Sequence, residues 1–356
     1  MPFAPTTIIA NGVNDAYWRG LDIIASDSAR REDSRNGAVT IAPGPVTTFT
    51  MDPLRRVLFS PLRDANPFFH FFESLWMLAG RNDLPWLTQF NKRMASFSDD
   101  GGNTQPAAYG HRWRAHFGYD QLELIIEELR RNPLTRRCVL AMWDSGSNEW
   151  GDVTGDLSAA IAGSNDVPCN THCYFTIADG RLHMGVMCRS NDVVWGAHGA
   201  NAVHFSILLE YVAARAGVAV GTLTQFSWNY HLYDGVLKAD IGSAARDAQA
   251  HDYYTTDGMD VTRLFYGDDA TLPQFYCELD EFMDWANHDN VKRKAPSFSM
   301  PVLRDIAVPM RLVWDLHKMG DYRLAINTSY DICGADWRTA CREWLGRRAA
   351  RRQRNT

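Results

Sequence analysis

Cys169 is the residue of this sequence best suited to form a covalent bond with a substrate. It follows Pro168, whose ring restricts the backbone before it, and polar side chains occupy positions 170–172. Arg189 lies further along the chain, and a guanidinium close to a thiol lowers the pKa of that thiol. A single cysteine is more often a small core residue than a nucleophile, so the polar surroundings of Cys169 carry this prediction.

Four arginines supply candidate contacts to an anion. Arg189 and Ser190 together offer a guanidinium fork and a hydroxyl, which suit a phosphate dianion. Taken singly, Arg35, Arg136 and Arg137 could equally form ordinary surface ion pairs. The four indicate a phosphate site only jointly.

Polar residues beyond Arg189 suit a heterocycle and a sugar. Asp192 and Asn201 are a carboxylate and an amide that can pair with a ring edge, although Asn201 could instead cap a helix. His231 and Tyr233 stand two positions apart at a strand end, so both side chains face one side. A satisfied core histidine is the alternative for His231.

Glu73 is a candidate general acid because it lies in an apolar helix predicted over residues 66–80. Burial would favour its neutral, proton-donating form. The alternative is a solvated helix edge, which the neighbouring Phe72, Leu75 and Trp76 make less favourable.

The remaining patterns predict a strand-rich middle flanked by helices, which is an α+β arrangement rather than alternating βαβ units. The Asp179-Gly180 pair is typical of a tight hairpin. The other predicted elements are helices at 119–131, 199–216 and 336–345, strands at 138–143, 172–178, 181–188 and 223–230, a surface insertion at 144–166 and a basic tail at 347–356.

Composition favours one globular domain over residues 1–356 that acts on a small molecule. The net charge of −6 argues against a surface that coats nucleic acid. Seven cysteines without a CxxC pair form neither a disulfide framework nor a zinc site, so no metal and a reducing cytoplasm are expected. Cys138, Cys173 and Cys188 lie in apolar stretches and are predicted to be packing residues. No export signal or membrane span is expected.

Together these segments resemble the thymidylate synthase family, whose members methylate or hydroxymethylate pyrimidine nucleotides. The similarity runs from about Arg35 to Tyr233. Residues 72–80 resemble the family's glutamate helix, and residues 109–114 resemble its Tyr-Gly-x-x-Trp-Arg segment. The resemblance implies a large mixed β-sheet flanked by helices, with the sheet packed at a homodimer interface.

The resemblance also implies a role for each candidate residue, and 5,10-methylenetetrahydrofolate as cosubstrate. The catalytic residues would be Cys169 as nucleophile with Glu73, Tyr109 and Asp192. The phosphate site would combine Arg189, Ser190 and Arg35 with Arg136 and Arg137 from the partner subunit. Asn201 would contact the base, His231 and Tyr233 the sugar, and Trp76, Asp192 and Gly196 the folate.

Three departures from the synthase pattern bear on the product. Ala95 and Ser98 stand where the synthase has two tryptophans beside the folate, and small side chains there leave room for water. The apolar C-terminus that closes over the folate is replaced by the basic tail. Strict spacing puts Ala200 at the base-reading asparagine, and a one-residue insertion restores Asn201. This variant looks like the bacteriophage branch that makes hydroxymethylated pyrimidines, with the host cytoplasm as its compartment.

The leading hypothesis is therefore a dUMP hydroxymethylase in which water, not hydride, completes the product. Asn201 suits uracil because an amide both donates and accepts, whereas an aspartate would suit the amino group of cytosine. The alternatives are a thymidylate synthase that forms dihydrofolate, a dCMP hydroxymethylase, and a nucleotide-binding protein without turnover. The basic tail would be a solvated helix end or, as the alternative, a surface that attracts DNA or a partner.

Overall fold

A computed structural model describes residues 3–146, 154–237, 239–266, 274–287 and 294–355. The strands are β1 (Thr6–Ala10), β2 (Arg30–Ser34), β3 (Gly37–Ile41), β4 (Val46–Thr50), β5 (Val139–Ala141), β6 (Asn170–Ala178), β7 (Arg181–Cys188), β8 (Asn191–Asp192), β9 (Ala219–Ser227) and β10 (Tyr230–Tyr233). The α-helices are α1 (Val13–Ala25), α2 (Pro67–Leu78), α3 (Leu84–Thr88), α4 (Tyr109–Arg114), α5 (Gln121–Arg131), α6 (Asp156–Ile161), α7 (Asn201–Ala216), α8 (Ile241–Ala250), α9 (Tyr253–Thr256), α10 (Phe275–Ala286), α11 (Val308–Lys318), α12 (Tyr322–Thr328) and α13 (Ala335–Asn355). Short 3₁₀ turns cover Lys92–Phe97 and Ser329–Asp331, and π-helical turns cover Val193–Ala200 and Val302–Ala307.

A mixed six-stranded sheet in the order β1-β4-β9-β7-β6-β5 forms the centre of the fold. One face packs against α7, which is buried from Asn201 through Arg215. Alternation along the strands sends Phe175, Val186 and Leu223 into this core. The opposite face carries the exposed ring of Tyr174. The α+β class and the large mixed sheet flanked by helices are confirmed.

The elements that begin and end with strong local signals lie where the sequence predicts them. Helix α2 begins after Asn66, whose side chain accepts a hydrogen bond from the Phe69 N–H at 3.2 Å. Helix α7 ends at Gly217, which has a φ of +73°. The β6–β7 hairpin turns at Asp179 and Gly180, with φ values of +50° and +70°.

Three predicted strand ranges differ from the structure. The strand predicted at 172–178 is β6, which begins at Asn170. The strand predicted at 223–230 is β9, which begins at Ala219 because its pairing with β7 starts there, and it ends at Ser227. Residues 228 and 229 connect it to β10. Strand β5 is shorter than predicted, since only three of its residues pair with β6.

The part of the predicted surface insertion that the structure describes is anchored in the core. Residues 147–153 of the insertion lie outside the described residues. Within the rest, Arg112 of α4 forms a bidentate pair with the buried carboxylate of Asp156 at 2.7 and 2.8 Å. This ion pair holds the start of α6 against the segment that carries Tyr109.

The basic tail is part of a helix and not a separate segment. The helix predicted to end at Leu345 continues as α13 to Asn355. Arg347, Arg348 and Arg351 converge on the carboxylate of Asp64 at 2.8 to 2.9 Å. The arginines that looked like a free cationic face therefore tie this helix to the loop before α2. Within the described ranges, no helix combines the length and apolar character needed to cross a bilayer.

Gly110 allows α4 to lie directly against α2. A Cβ at this position would come within 2.0 Å of the Met77 carbonyl oxygen, which is backbone and cannot move aside. The close approach sets the position of the preceding residue, Tyr109.

We expect Gly110→Ala to lower the free energy of unfolding by roughly 1 to 3 kcal/mol through overpacking. Gly346 is the matched control, because it lies inside α13 and an added Cβ there meets no atom within 4 Å. Gly346→Ala should raise stability by about 0.5 to 1 kcal/mol. Urea unfolding followed by circular dichroism measures both, and equal shifts for the two variants would contradict the close packing of α4 on α2.

Candidate active site

The ends of three neighbouring strands meet at one edge of the main sheet. Strand β6 begins at Asn170, β7 ends at Cys188 and β9 ends at Ser227, and these residues are paired in register across the sheet. Cys169 immediately precedes β6, and its carbonyl accepts a hydrogen bond from the Arg189 N–H at 2.9 Å. The predicted nucleophile therefore lies at a strand end with its backbone held.

Tyr109 holds the backbone around Cys169 from the other side. Its hydroxyl oxygen accepts hydrogen bonds from the N–H groups of Cys169 at 3.2 Å and Asn170 at 3.1 Å. The Asn170 side-chain amide donates to the same oxygen at 3.0 Å. Burial raises the pKa of Tyr109 well above its usual value, so the phenol stays neutral.

Opposing effects act on the thiol of Cys169. Burial raises its pKa, Arg189 and Arg35 lower it, and Asp166 raises it further, with burial the largest of these. The net direction is upward. The thiol is therefore neutral in the isolated chain, and the two arginines provide the positive charge that favours its thiolate.

Arg189 wraps around the loop that leads to Cys169. Its Nε donates to the Pro168 carbonyl at 2.8 Å and its Nη2 to the Val167 carbonyl at 2.9 Å. The side chain nevertheless remains exposed. Arg189 therefore both shapes the loop of the nucleophile and presents charge to solvent beside it, as the sequence predicts for an anion contact, and half-buried Ser190 follows it.

The other predicted phosphate residues are dispersed within one chain. Arg35, in the β2–β3 turn, donates to the Ser164 carbonyl at 3.3 Å and contributes to the potential at Cys169. Arg136 and Arg137 are exposed just before β5, and their side chains have no partner among the described residues. Their contribution to the phosphate site stays a prediction that needs a second subunit.

Asp192 and the His231–Tyr233 pair lie together across two short strands. Strands β8 and β10 run parallel, with Asp192 beside His231. Asp192 Oδ1 accepts hydrogen bonds from the N–H groups of Val194 and Trp195 at 2.9 and 2.6 Å. Burial raises the pKa of Asp192 and lowers that of His231, although each charge partly offsets the other's shift. The rings of His231 and Tyr233 meet edge to face at 5.0 Å.

Asn201, and not Ala200, joins the polar network at Cys169. The preceding segment, Val193–Ala200, is π-helical with a break at Gly199, where φ is −104° and ψ is −109°. Asn201 Oδ1 accepts a hydrogen bond from Asn170 Nδ2 at 3.2 Å. Gly196 packs against this region, and a Cβ there would come within 2.6 Å of Asn191 Oδ1.

Glu73 is buried and faces α7, as predicted for a carboxylate on an apolar helix. Its Oε2 lies 3.1 Å from Nε2 of His204, which is also buried. His204 and Asn201 stand three positions apart on α7 and therefore share one face of that helix. Helix α7 thus links the Glu73 carboxylate to the amide network at Cys169.

Trp76 does not lie where the sequence places it. The prediction assigned it to the folate, but it is 1% exposed in the core and its indole N–H donates to the Asp83 carbonyl at 3.1 Å. Trp76 is enclosed because every residue of α2 is buried. The two positions that correspond to the synthase tryptophans carry small side chains: Ala95 is exposed and Ser98 is half-buried.

Sequence reasoning assigned no role to Ser227 or Asp166, and it used Asn170 only as a polar neighbour of Cys169. Strand pairing and side-chain hydrogen bonds bring Asn170, Asn191 and Ser227 together. The carboxylate of Asp166 accepts a hydrogen bond from the distant Ala107 N–H at 3.1 Å. Its position just before Cys169 was the only available signal.

We expect Asp166→Asn to raise the free energy of unfolding relative to wild type, by an amount that grows as pH rises. Burial raises the Asp166 pKa from 3.8 to about 6, so below 3.8 both folded and unfolded chains are protonated, and above about 6 the folded chain must hold a buried carboxylate. The asparagine removes that cost. It should raise the free energy of unfolding by roughly 1 to 3 kcal/mol at pH 8 and by almost nothing at pH 3.5. It should also speed alkylation of Cys169 by iodoacetamide, because a charge that raises the thiol pKa is gone.

Asp99→Asn is the matched control, with the opposite sign. The Asp99 pKa is lowered by hydrogen bonds from the Ser164 hydroxyl and the Asn165 N–H. Asp99→Asn should lower the free energy of unfolding at pH values above the ordinary aspartate pKa. Melting temperatures at pH 3.5 and pH 8 test both, and a loss of stability at pH 8 in Asp166→Asn would show that its carboxylate is well accommodated.

Comparison with known proteins agrees with this geometry. A family model described as thymidylate synthase matches residues 16–258. A protein of Pseudomonas phage M6 named deoxyuridylate hydroxymethyltransferase is 42% identical over 96% of this chain and 94% of its own length. A protein of the same name from Bacillus phage SP01 is 37% identical over 53% of this chain and 49% of its own length. The thymidylate synthase of Symbiobacterium thermophilum is 28% identical over 62% of this chain and 75% of its own length. The chain belongs to the thymidylate synthase family and is a one-carbon transferase.

Proposed function

We propose that this chain is a deoxyuridylate hydroxymethylase that converts dUMP to 5-hydroxymethyl-dUMP. The observation that carries the proposal is the cluster at the sheet edge, where Cys169, Arg189 and Asn201 supply a nucleophile, an anion contact and a base reader. The names of the phage M6 and SP01 relatives support the same substrate and product.

The nucleotide would bind with its phosphate at Arg189 and Ser190, completed by Arg35 and by Arg136 and Arg137 of a second subunit. In this arrangement the C6 atom of the base lies at Cys169. Addition of the thiolate to C6 breaks the C5–C6 double bond and makes C5 nucleophilic. His231 and Tyr233 would contact the sugar.

The folate cosubstrate supplies the one-carbon unit that C5 takes up. The carboxylate of Asp192 fits a folate ring edge, because its Oδ2 accepts only a long 3.4 Å hydrogen bond from the Tyr233 N–H and can accept another. Half-buried Gly196, four residues further along, would take part in the same contact. Trp76 is buried and has no place in this contact.

Glu73 is positioned to move protons at the base through ordered water. Its buried carboxylate lies against His204, on the face of α7 that also carries Asn201. The small residues Ala95 and Ser98 favour water as the final nucleophile, because they leave the surrounding region open and polar. Phage relatives imply the host cytoplasm as the setting, with nucleotide and folate as ligands and no direct contact with nucleic acid.

Mass analysis of the product decides the reaction. With dUMP and 5,10-methylenetetrahydrofolate in oxygen-18 water, we expect a nucleotide enlarged by CH2O that carries the heavy oxygen. A product enlarged by CH2, with dihydrofolate formed, would establish a thymidylate synthase instead.

Cys169→Ser should lower kcat by a factor of roughly a thousand or more, because the weaker nucleophile adds poorly to C6. Unchanged turnover in that variant would refute the covalent step.

Subunit mixing tests the homodimer. Cys169→Ser and the double variant Arg136→Ala/Arg137→Ala should each be nearly inactive alone. If the two arginines complete the partner's phosphate site, dimers that contain one subunit of each variant regain one intact site, and activity returns on mixing after mild denaturation. Mixing each variant with itself is the control. Continued inactivity of the mixture would place the arginines in their own subunit's site.

A further inference from the structure

A chain of buried side-chain amides runs inward from the candidate base-binding residue. Asn170 Nδ2 donates to Asn201 Oδ1 at 3.2 Å, and Asn201 Nδ2 donates to Asn191 Oδ1 at 3.1 Å. Asn191 Nδ2 then donates to the Ser227 hydroxyl at 2.9 Å. We call these four residues the amide chain. Asn201 is its most exposed member, at 9%, whereas the others are at most 1% exposed.

The amide chain leaves Asn201 with one donor and one acceptor to spare. A side-chain amide has two N–H groups and an oxygen with two lone pairs. One N–H is used by Asn191 and one lone pair by Asn170. The remaining pair is what the N3–C4 edge of a pyrimidine needs.

Uracil and cytosine require that pair in opposite order. Uracil accepts at O4 and donates from N3, whereas cytosine donates from its N4 amino group and accepts at N3. An amide serves one base in one orientation and the other base after a rotation of half a turn. Selectivity therefore needs something that prevents Asn201 from rotating.

The two neighbours of Asn201 provide that restraint. If Asn201 rotated alone, its N–H groups would face the Asn170 amide nitrogen and its oxygen would face the Asn191 oxygen, and both hydrogen bonds would be lost in a buried site. Gly196 packs over the Asn191–Asn201 contact with no room for a side chain. Asn170 is itself held because both of its N–H groups have acceptors, the Tyr109 hydroxyl and Asn201 Oδ1, whereas its own Oδ1 is buried without a partner among the described residues. Rotation of Asn170 would bury its two N–H groups where no acceptor is described.

We propose that Asn170 and Asn191 are positioning residues that select uracil over cytosine by holding the amide of Asn201 in one orientation. The inference rests on the proposed function, in which Asn201 contacts the base. It assigns selectivity to two residues that the nucleotide itself need not touch.

Two isosteric substitutions separate this idea from a general effect of charge. A carboxylate at position 170 could only accept, so Asn170→Asp should turn the Asn201 N–H toward that position. Asn191 can then rotate and donate to Asn201 Oδ1, the Ser227 hydroxyl can donate to Asn191, and Tyr109 can donate to the new carboxylate. The whole amide chain reverses with no hydrogen bond lost, and the base-facing pair changes order.

Asn191→Asp is the matched control, because its carboxylate keeps the original direction. It accepts from Asn201 Nδ2 as the amide oxygen does, and its second oxygen can accept from the Ser227 hydroxyl. The substitution adds the same charge, on the other side of the same asparagine, without reversing the chain.

The test compares dUMP with dCMP for each full-length variant. Dissociation constants from titration calorimetry and kcat/KM from product mass give a dUMP-to-dCMP ratio in which general damage to the fold cancels. We expect the ratio to shift toward dCMP by at least about tenfold in Asn170→Asp, the effect of one exchanged hydrogen bond pair, and by less than about threefold in Asn191→Asp. Asn170→Ala, which removes the restraint without reversing it, should bring the ratio closer to one.

Equal ratios in wild type, Asn170→Asp and Asn170→Ala would overturn the proposal, as would a shift in Asn191→Asp alone. If Asn170→Asp does not fold, judged by its melting curve, the result for Asn170→Ala decides. The proposed function fails separately, if wild type prefers dCMP. In that case the change in ratio between variants still tests the amide chain, because the inference concerns the change and not the starting value.

Discussion

The hydroxyl oxygen of Tyr109 is the contact on which the geometry of the site depends. It gathers the backbone N–H groups of Cys169 and Asn170 and the amide of Asn170 around one buried atom. Buried backbone donors need partners, and no strand supplies one at this point because β6 begins only at Asn170. A phenol brought in by α4 satisfies them. Its position in turn requires the close approach of α4 to α2 at Gly110.

The reactivity of the thiol is set by a balance between burial and charge. Burial raises the pKa of Cys169 and outweighs the two arginines that lower it. Burial also dominates the raised pKa values of Cys173 and Cys188, which are enclosed in the sheet. Cys169 differs from them in that both Arg189 and Arg35 lower its pKa, whereas Arg189 is the only arginine that does so at Cys188 among the described residues. The proposed partner arginines would add to the same side of the balance.

The interior of the site is built from neutral amides rather than charges. Asn170, Asn191 and Asn201 are the first residues of β6, β8 and α7 and hydrogen-bond to one another, while Asn170 Oδ1 has no partner among the described residues. Buried amides cost less to desolvate than carboxylates, and their fixed donors and acceptors still impose direction. The carboxylate–histidine pairs Asp192–His231 and Glu73–His204 lie at the edges of this interior.

The sequence by itself determined the elements and the chemical identity of the site. Helix α2, the Asp179-Gly180 hairpin and the Gly217 helix end follow from local patterns, because capping, turn geometry and periodicity act over a few neighbouring residues. Residue type and spacing in the same way predict Cys169, Glu73, Arg189 and Asn201 as candidate site residues. Tertiary structure alone decided which side chains meet. It buried Trp76 in the core, tied the basic helix to Asp64, placed Asp166 against Ala107 and linked Asn170 to Asn191 through Asn201. These contacts join residues distant along the chain, and their partners and burial depend on how the whole fold packs, which no local pattern records.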